Sequence, residues 1–273
     1  MPSQFSVLMS VYDGENPLYL QASLMSLAHS TYVPSEVVLV EDGPINNKLQ
    51  MVILKSRDFL TIKSVCLPEN IGLPGALNEG LGACAHELIA RFDTDDICAS
   101  DRFEKQLMFM KDNPAVAAIS STIEEFDSVT GARLKRRSPP ICHEDLLKRA
   151  KISSPLNHPA VMFRRSLVLS VGGYPIKLTR AFEDYALWIK LLVAGYKLAN
   201  LPDVLVYMRA GYAQSFRRSG FSYAQEEFNF AKFLLRIGFL NYYEFIRFLC
   251  VRIPFRFMPK RMIALAYGCF ARN

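Results

Sequence analysis

The N-terminal third of the chain alternates between short apolar runs and stretches in which apolar residues recur at helical spacing. Runs rich in β-branched residues predict four strands, at Phe5–Val11, Glu36–Val40, Thr61–Cys66 and Glu87–Phe92. Between the last two strands, the spacing predicts a helix of small residues from Leu73 to Ala83. Strands and helices that alternate in this way form right-handed β-α-β units, so the sequence predicts an α/β fold with a mostly parallel sheet flanked by helices.

The pattern is less regular in the rest of the chain. It predicts, in order, a charged helix at Asp101–Asp112, a strand at Ala115–Ser120, a hairpin over residues 121–137, a helix at Phe182–Ala194 and a strand at Val204–Arg209. From Phe221 onward the sequence is helical, aromatic and basic, and Pro254 and Pro259 are expected to break any single long helix. We therefore expect a main domain over residues 1–215, divided at about residue 98 into halves 1–98 and 99–215, and a helical tail over residues 216–273.

Composition narrows the classes of protein that fit. Hydrophobic residues make up 51% of the 273, enough for a core, and a net charge of +6 with a pI near 9.0 favours an anionic partner: a nucleotide, a nucleic acid or an acidic lipid surface. The six cysteines include no C-x-x-C pair, which favours a reducing compartment. The sequence shows neither a signal peptide nor an apolar run of roughly 18 residues, so we expect a cytoplasmic protein that can still lie on a membrane.

An acidic turn follows the fourth predicted strand, with carboxylates at Asp93, Asp95 and Asp96. Like charges this close raise one another's pKa unless a cation lies between them. Mg²⁺ and Mn²⁺ take oxygen ligands, usually one or two protein carboxylates together with the phosphates of a substrate. On this stretch alone, a solvated turn that caps the next helix explains the pattern equally well.

Polar groups also follow the first two strands, in the turn Tyr12-Asp13-Gly14-Glu15-Asn16 and at Asp42. Carboxyl ends of parallel strands meet at one edge of the sheet, where α/β proteins bind nucleotides. The first turn has neither the G-x-G-x-x-G pattern of dinucleotide enzymes nor the G-x-x-x-x-G-K-[ST] pattern of P-loop proteins. We therefore expect a diphosphate to be neutralised by a metal ion held by the aspartates.

Six motifs occur in a specific order along the chain: Ser10-Val11-Tyr12, Val40-Glu41-Asp42-Gly43, Asn70-Ile71-Gly72-Leu73, Ala76-Leu77-Asn78, Ala90-Arg91-Phe92-Asp93-Thr94-Asp95-Asp96 and Glu183-Asp184-Tyr185-Ala186-Leu187-Trp188. With this set, residues 4 to 210 resemble the family 2 glycosyltransferases. The resemblance implies a GT-A fold and transfer from a nucleotide sugar with inversion. The stretch from Asn157 to Arg164 and the basic tail resemble the bacterial enzymes that build capsule, exopolysaccharide or O-antigen. One departure is Glu41, which stands where the family often has a second aspartate.

The resemblance also implies roles for individual residues. The nucleotide site would be formed by Val11, Tyr12, Asp42, Asn78, Arg91 and Asp93. Asp95, with Asp93, would hold Mn²⁺ or Mg²⁺ on the diphosphate, and Asp184 would be the general base. A carboxylate near the acceptor hydroxyl can remove its proton during attack, while the metal offsets charge on the departing diphosphate. The alternative for Glu183-Asp184 is an acidic pair favoured by the helix dipole.

Four residues are assigned less specifically to the acceptor or the diphosphate: Glu183, Trp188, His158 and Arg209. Burial in the core is an equal alternative for Trp188, and a hydrogen-bonded structural role is one for His158. Asn78 either fixes a backbone turn or pairs with the base, and Arg91 can simply pair with the nearby carboxylates.

These observations predict a metal-dependent, inverting hexosyltransferase. Its donor would be a UDP-sugar (UDP-galactose, UDP-glucose or an N-acetyl derivative) and its acceptor a glycan on undecaprenyl diphosphate, at the inner face of the cytoplasmic membrane. The tail would contact anionic lipid or pack on the enzyme itself or a second subunit. A sugar-phosphate nucleotidyltransferase is the alternative enzyme, but it needs a glycine-rich basic loop where this chain has an acidic one. No recognised nucleic-acid-binding motif occurs, so we expect no nucleic-acid partner.

Overall fold

The computed structural model describes residues 4–176, 178, 181–210 and 220–257. Its strands are β1 (Phe5–Val11), β2 (Glu36–Glu41), β3 (Ile62–Cys66), β4 (Leu88–Arg91), β5 (Ile97–Cys98), β6 (Val116–Asp127), β7 (Arg133–Arg137), β8 (Met162–Arg164) and β9 (Lys197–Ala210). Its helices are α1 (Pro17–Ala28), α2 (Asn47–Ser56), α3 (Leu73–Ala83), α4 (Arg102–Asp112), α5 (His143–Ala150), α6 (Arg165–Ser170), α7 (Glu183–Val193), α8 (Phe221–Arg236) and α9 (Tyr242–Phe257). A short 3-10 helix spans His158–Ala160.

The described strands form one mixed sheet in the order β3-β2-β1-β4-β8-β6-β9-β5, with β7 paired to β6. The first four strands in this order are parallel, as predicted, and so are β6 and β9. Strand β8 lies antiparallel between β4 and β6, and β5 and β7 are also antiparallel to their neighbours. The sheet therefore has a parallel half and a mixed half, which meet at β4.

Hydrophobic side chains cover both faces of the sheet. Val37, Val38 and Leu39 are successive and all fully buried, as expected of a parallel strand covered on both sides. Helix α3 approaches the sheet closely because Gly80 has no side chain: a Cβ there would come within 2.4 Å of Leu8. This close approach explains why the predicted helix is rich in small residues.

Several predicted elements are confirmed, and α3 has the predicted bounds. The predicted hairpin is formed by β6 and β7, with Gly131 in its turn at φ +70°. The pattern missed α2, α5, α6, β5 and β8. The prediction for β9 was too short: β9 is a 14-residue strand that pairs along β6. Strand β8 has only three residues, too few for a period to be visible, and only its two neighbouring strands define it.

The tail helices α8 and α9 pack against α7. Phe230 and Phe248 are buried together with Phe182 and Tyr185, and the rings of Phe182 and Phe230 stack with centroids 4.9 Å apart. This contact corresponds to the alternative in which the tail packs on the enzyme itself. The prediction that Pro254 breaks the helix was wrong, because α9 continues to Phe257. Pro254 and the residue one turn before it, Cys250, are exposed, so water can bind the carbonyl that Pro254 leaves without a donor. Pro259 lies outside the described residues.

Within the described ranges, every helix is too short or too polar to cross a lipid bilayer.

Candidate active site

The three predicted strand ends lie side by side. The Asp42 N–H donates to the Val11 carbonyl (2.8 Å), which joins the ends of β1 and β2. On the other side of β1, the Phe92 N–H donates to the Leu8 carbonyl (3.0 Å). The polar turn after β1, Asp42 and the acidic turn after β4 therefore share one edge of the sheet, as the sequence predicted.

Asp42 organises the loop that leads into α3. Its Oδ1 accepts from the Ile71 N–H (2.8 Å) and its Oδ2 from the Gly72 N–H (3.1 Å). Gly43, at φ +84°, brings its backbone against Asn70, where a Cβ would lie 2.8 Å from the amide nitrogen. Because each carboxylate oxygen can accept a second hydrogen bond, this buried carboxylate is held still while keeping acceptor capacity for a ligand.

Val11 and Tyr12 flank this edge in different ways. Val11 is fully buried, so it can contribute only its backbone. The Tyr12 ring is 46% exposed and lies over Gly14, where a Cβ would meet it at 2.4 Å. An exposed aromatic ring at this edge of the sheet suits a planar ligand.

The acidic turn is anchored by buried arginines. Arg91, only 3% exposed, donates to the Asp93 carboxylate, so the expected ion pair is present. Below it, Arg102 is fully buried and its Nη2 donates to the Arg91 carbonyl (2.8 Å). The Ser23 hydroxyl also donates to the Asp93 carbonyl (2.9 Å). The turn is therefore held from the sheet, from α4 and from α1.

Carboxylates crowd the outer side of this turn. Burial, followed by the charge of Asp93, raises the pKa of Asp95 from 3.8 to about 6. Burial and the charges of Asp95 and Asp93 raise the pKa of Glu15 from 4.5 to about 7. Glu15 was not selected from the sequence as a site residue. The signal was its place in the acidic turn after β1, which lies across the sheet edge from β4.

The crowding fits a cation. Carboxylates that lie this close and have raised pKa values are stabilised in their charged form by a cation. In the described part of the chain, no three His, Cys, Asp or Glu side chains are arranged as a complete metal site. Two protein carboxylates are nevertheless enough for Mg²⁺ or Mn²⁺ when substrate phosphates supply further ligands. Asp93 and Asp95 therefore fit a metal that binds together with a diphosphate.

Asp96 and Arg209 tie the turn to β9. Buried Asp96 accepts from the Arg209 N–H at Oδ1 (2.9 Å), and burial followed by the charges of Asp93 and Asp95 raises its pKa well above the usual value. The alternative in which Asp96 caps a helix was wrong, because β5 follows it and α4 begins only at Arg102. The Arg209 Nε donates to the Asp95 carbonyl (2.9 Å), and its guanidinium lies 3.9 Å from the Tyr19 ring centroid. Arg209 thus shapes the backbone of the acidic turn.

Glu183 and Asp184 lie in the first turn of α7, where the helix dipole favours carboxylates. Both are half-buried. Burial raises the pKa of Tyr174, and the charges of Asp184, Glu183 and Asp93 raise it further, whereas Arg91 opposes them. Tyr174 therefore lies within electrostatic range of both the acidic turn and the first turn of α7, so the structure brings these two groups of carboxylates to one region.

Asn78 holds the Tyr174 backbone. Its Nδ2 donates to the Tyr174 carbonyl (2.8 Å), and the Tyr174 N–H donates to its Oδ1 (2.9 Å). The preceding Gly173, at φ +61°, leaves room for this amide, since a Cβ there would lie 2.5 Å from Oδ1. Of the two interpretations of Asn78, the structure favours the one in which it fixes a backbone turn over contact with a base.

His158 and Trp188 lie in the core beneath Tyr174. The His158 Nε2 is 3.1 Å from the Tyr174 hydroxyl, and burial and Arg91 lower its pKa well below the usual value. Trp188 is 0% exposed, with its ring centroid 6.0 Å from that of His158. The expected acceptor contact of Trp188 is therefore corrected: its ring packs in the core. His158 has the hydrogen-bonded structural role given as its alternative.

Comparisons with known proteins identify the family of this chain. Residues 6–172 match the family model described as Glycosyl transferase family 2. An amylovoran biosynthesis glycosyltransferase of Erwinia amylovora is 37% identical over 263 residues, covering 96% of this chain and 97% of the relative. An Escherichia coli UDP-Gal:alpha-D-GlcNAc-diphosphoundecaprenol beta-1,3-galactosyltransferase is 39% identical over 256 residues, covering 94% and 92%. A Pyrobaculum calidifontis mannosyltransferase, solved with GDP-Man and Mn²⁺, superposes with a TM-score of 0.67 at 20% identity, covering 93% of this chain and 71% of that one.

Proposed function

This chain belongs to glycosyl transferase family 2, and from that premise we propose that it transfers a hexose from a UDP-sugar to a hydroxyl of a lipid-linked glycan, with inversion and with a divalent metal. The observation that carries the proposal is the convergence of Asp42, the acidic turn and the first turn of α7 on one region. Asp42 would bind the nucleotide base, the acidic turn would bind the diphosphate through a metal, and the first turn of α7 would bind the acceptor hydroxyl.

The donor would bind along the strand ends. The Asp42 carboxylate, already fixed by two N–H donors, would accept from the uracil ring, with Tyr12 beside it. The name of the Escherichia coli relative supports UDP-galactose as the first donor to try. Glu41, half-buried at the end of β2, is longer than an aspartate and would change hydrogen bonding at the base edge.

Asp95 and Asp93 would hold Mn²⁺ or Mg²⁺, with Glu15 beside them. When bound, the metal offsets negative charge on the departing diphosphate. The manganese in the Pyrobaculum calidifontis structure supports this assignment. Arg91 keeps Asp93 in position, and Arg209 keeps the Asp95 backbone in position.

Asp184 would act as the general base. Its place in the first turn of α7 stabilises the carboxylate form, and the buried aromatic residues behind it hold α7 firmly. The carboxylate would take the proton of the acceptor hydroxyl as that oxygen attacks the far face of the anomeric carbon.

The acceptor would be a sugar on a diphosphate-linked lipid, as in the name of the Escherichia coli relative, which requires the enzyme to work at the inner face of the cytoplasmic membrane. Helix α9 presents exposed side chains suited to that contact: Tyr242, Tyr243, Ile246, Val251 and Phe257. Arg247 is exposed on the same helix, whereas Arg252 and Arg256 are paired internally. Aromatic and aliphatic side chains beside an arginine favour the interface of an anionic membrane.

Membrane contact is tested by sedimentation with vesicles that contain anionic lipid. The variant Tyr243→Ser/Ile246→Ser should lose binding. The variant Met51→Ser/Leu54→Ser, which removes two exposed apolar residues from α2, should keep it. Equal binding by both variants would leave α9 as a structural element.

The transfer reaction is tested with labelled UDP-galactose, Mn²⁺ and an N-acetylglucosamine diphosphate ester of a short alcohol. Release of UDP with formation of a disaccharide is expected, and NMR of the product should show an inverted anomeric centre. Exchange of pyrophosphate into a nucleotide sugar, without sugar transfer, would instead support the nucleotidyltransferase alternative.

A further inference from the structure

Strand β7 is the most basic segment among the described residues, and the proposed donor site does not use it. Its five residues read Arg133-Leu134-Lys135-Arg136-Arg137, and all five are exposed. It lies at an edge of the sheet, paired only with β6. Charged residues on an edge strand prevent pairing with other chains, but charges of either sign would do this. Four positive charges therefore suggest an additional role.

The sheet register places β7 beside the active site. Phe126 of β6 is the pairing partner of Arg133 on one side and of Arg209 on the other. The Arg209 guanidinium lies 4.8 Å from the Phe126 ring centroid, and its Nε donates to the Asp95 carbonyl. Arg133 is thus two strand spacings, roughly 10 Å, from the residue that holds the acidic turn.

The other end of β7 is tied to the same region. The Asn157 side chain donates to the Arg137 carbonyl (3.0 Å) and to the Ser121 carbonyl (2.8 Å) of β6. Asn157 directly precedes the 3-10 helix that contains His158. The hairpin is therefore fixed to the segment that leads into this 3-10 helix.

Internal pairing leaves β7 with an excess of positive charge. The buried Glu124 carboxylate pairs with both Arg133 and Arg136, and Glu125 pairs with Arg137. Two carboxylates thus pair with three arginines. The Arg133 and Arg136 side chains remain 71% and 61% exposed, and each guanidinium has five N–H donors, so donors are left over for an external anion.

We propose that β7 binds the diphosphate of the lipid-linked acceptor. The inference rests on the proposed function, in which the acceptor sugar is attached to the lipid through a diphosphate. The acceptor phosphates then lie one sugar ring away from the hydroxyl that attacks, and Arg133 lies roughly 10 Å from Arg209, which holds the acidic turn. Arginine N–H pairs bind phosphate oxygens in a bidentate manner, and the anchored hairpin presents them without reorganisation.

The test variant is Arg133→Gln/Lys135→Gln, which leaves Arg136 on the buried Glu124 carboxylate and so protects the fold. The matched control, Lys55→Gln/Lys111→Gln, removes two exposed charges near the ends of α2 and α4. Calorimetry without donor measures binding of an N-acetylglucosamine diphosphate ester of a short alcohol. Kinetics compare that acceptor with the same sugar on the same alcohol lacking phosphates.

The test variant should bind the diphosphate ester at least tenfold more weakly, and its acceptor KM should rise by a similar factor. Its kcat, its KM for the donor and its rate with the phosphate-free acceptor should match those of the control. Unchanged binding of the diphosphate ester, no binding by the wild type, or an equal loss with both acceptors would overturn the inference. If the wild type binds the ester through β7 but transfers no sugar, the proposed function fails while the diphosphate site stands.

Discussion

Buried carboxylates have opposite pKa shifts in two regions of the molecule. These regions are the sheet edge at β1 and β4 and the helical pair α8–α9. At the sheet edge, burial and neighbouring carboxylates raise the pKa values of Glu15 and Asp95 to about 7 and about 6. In the helical pair, Glu227 is fully buried, and burial alone would raise its pKa. Hydrogen bonds and charges from Arg256 and Arg252 nevertheless lower it.

This difference distinguishes a candidate ligand site, the acidic turn, from a structural support, the ion pairs of Glu227. Glu227 pairs with Arg252 and Arg256 of the same chain, so its negative charge is neutralised by internal ion pairs. Among the described residues, Arg91 pairs with Asp93 and Arg209 lies beside Asp95, yet the pKa values of Asp95 and Glu15 stay raised, which favours binding of a cation. Unbalanced charge of this kind is expected where a protein binds or reacts, and balanced charge where it only holds a fold together.

The largest expected effect is on turnover. Asp184→Asn should lower kcat by roughly 10²–10⁴-fold, because the acceptor hydroxyl loses its base, while donor binding is retained. Calorimetry with a non-transferable UDP-sugar analogue checks the second part. If donor binding disappears together with turnover, Asp184 belongs to the donor site and the base is elsewhere.

Asp95→Ala should cost about 3 kcal/mol or more in the barrier, at least about a hundredfold in rate, because the metal loses a ligand. The fold should be intact, since the substitution removes a repelled carboxylate. Asp112→Ala, an exposed aspartate at the end of α4, is the control and should be fully active. Undiminished activity in the Asp95 variant, or in wild-type enzyme treated with EDTA, would refute the metal role.

Glu227→Gln should act on stability instead. It removes the carboxylate that pairs with two largely buried guanidinium groups, so the free energy of unfolding should fall by about 3 kcal/mol. The kcat of the folded variant should equal that of the wild type. Urea denaturation and kinetics on the same sample measure both, and a kcat loss without a stability loss would break the distinction between site and support.

The two regions should also respond oppositely to pH. The raised pKa of Asp95 means that folded metal-free protein binds more protons than unfolded protein. The contribution of Asp95 to the free energy of unfolding therefore falls by about 2 kcal/mol as pH rises from about 4 to about 6. The pKa of Glu227 is lowered instead. Its contribution to the free energy of unfolding is therefore present above pH 4.5, the ordinary pKa of a glutamate, and is lost as pH falls through the lowered pKa. Unfolding curves in EDTA for the wild type, Asp95→Asn and Glu227→Gln should show these opposite trends. Parallel curves for all three would contradict both assignments.

The smallest expected effect concerns Asn78. Asn78→Ala removes both hydrogen bonds to the Tyr174 backbone, and we expect kcat to fall about tenfold, or about 1.4 kcal/mol, with the donor KM unchanged. Asn78→Asp keeps the acceptor oxygen for the Tyr174 N–H and should recover part of the rate. A rise in donor KM without a change in kcat would instead restore the nucleotide contact first expected for Asn78.

Much of the arrangement proposed for the donor site could be predicted from the sequence, because each motif is a short contiguous segment. A buried strand, a turn and the carboxylates after it are contiguous, and the parallel order of β1, β2 and β4 follows from the strand–helix alternation. Asp42 and Asp93 could therefore be assigned to one edge of the sheet from the sequence alone. The family could be inferred for the same reason, since its motifs are short segments in a specific order.

Only the tertiary structure decided what each buried polar side chain touches. Asn78 and Tyr174 are 96 positions apart in sequence, and Glu227 and Arg252 are 25 apart, so no local period relates them. Glu15 joins the acidic turn only because β1 and β4 are neighbours, and Trp188 is buried only because α7 packs on the sheet. The sequence by itself determined which chemical groups stand at the strand ends. The packing of distant segments decided which of those groups are neutralised within the chain and which are left for a ligand.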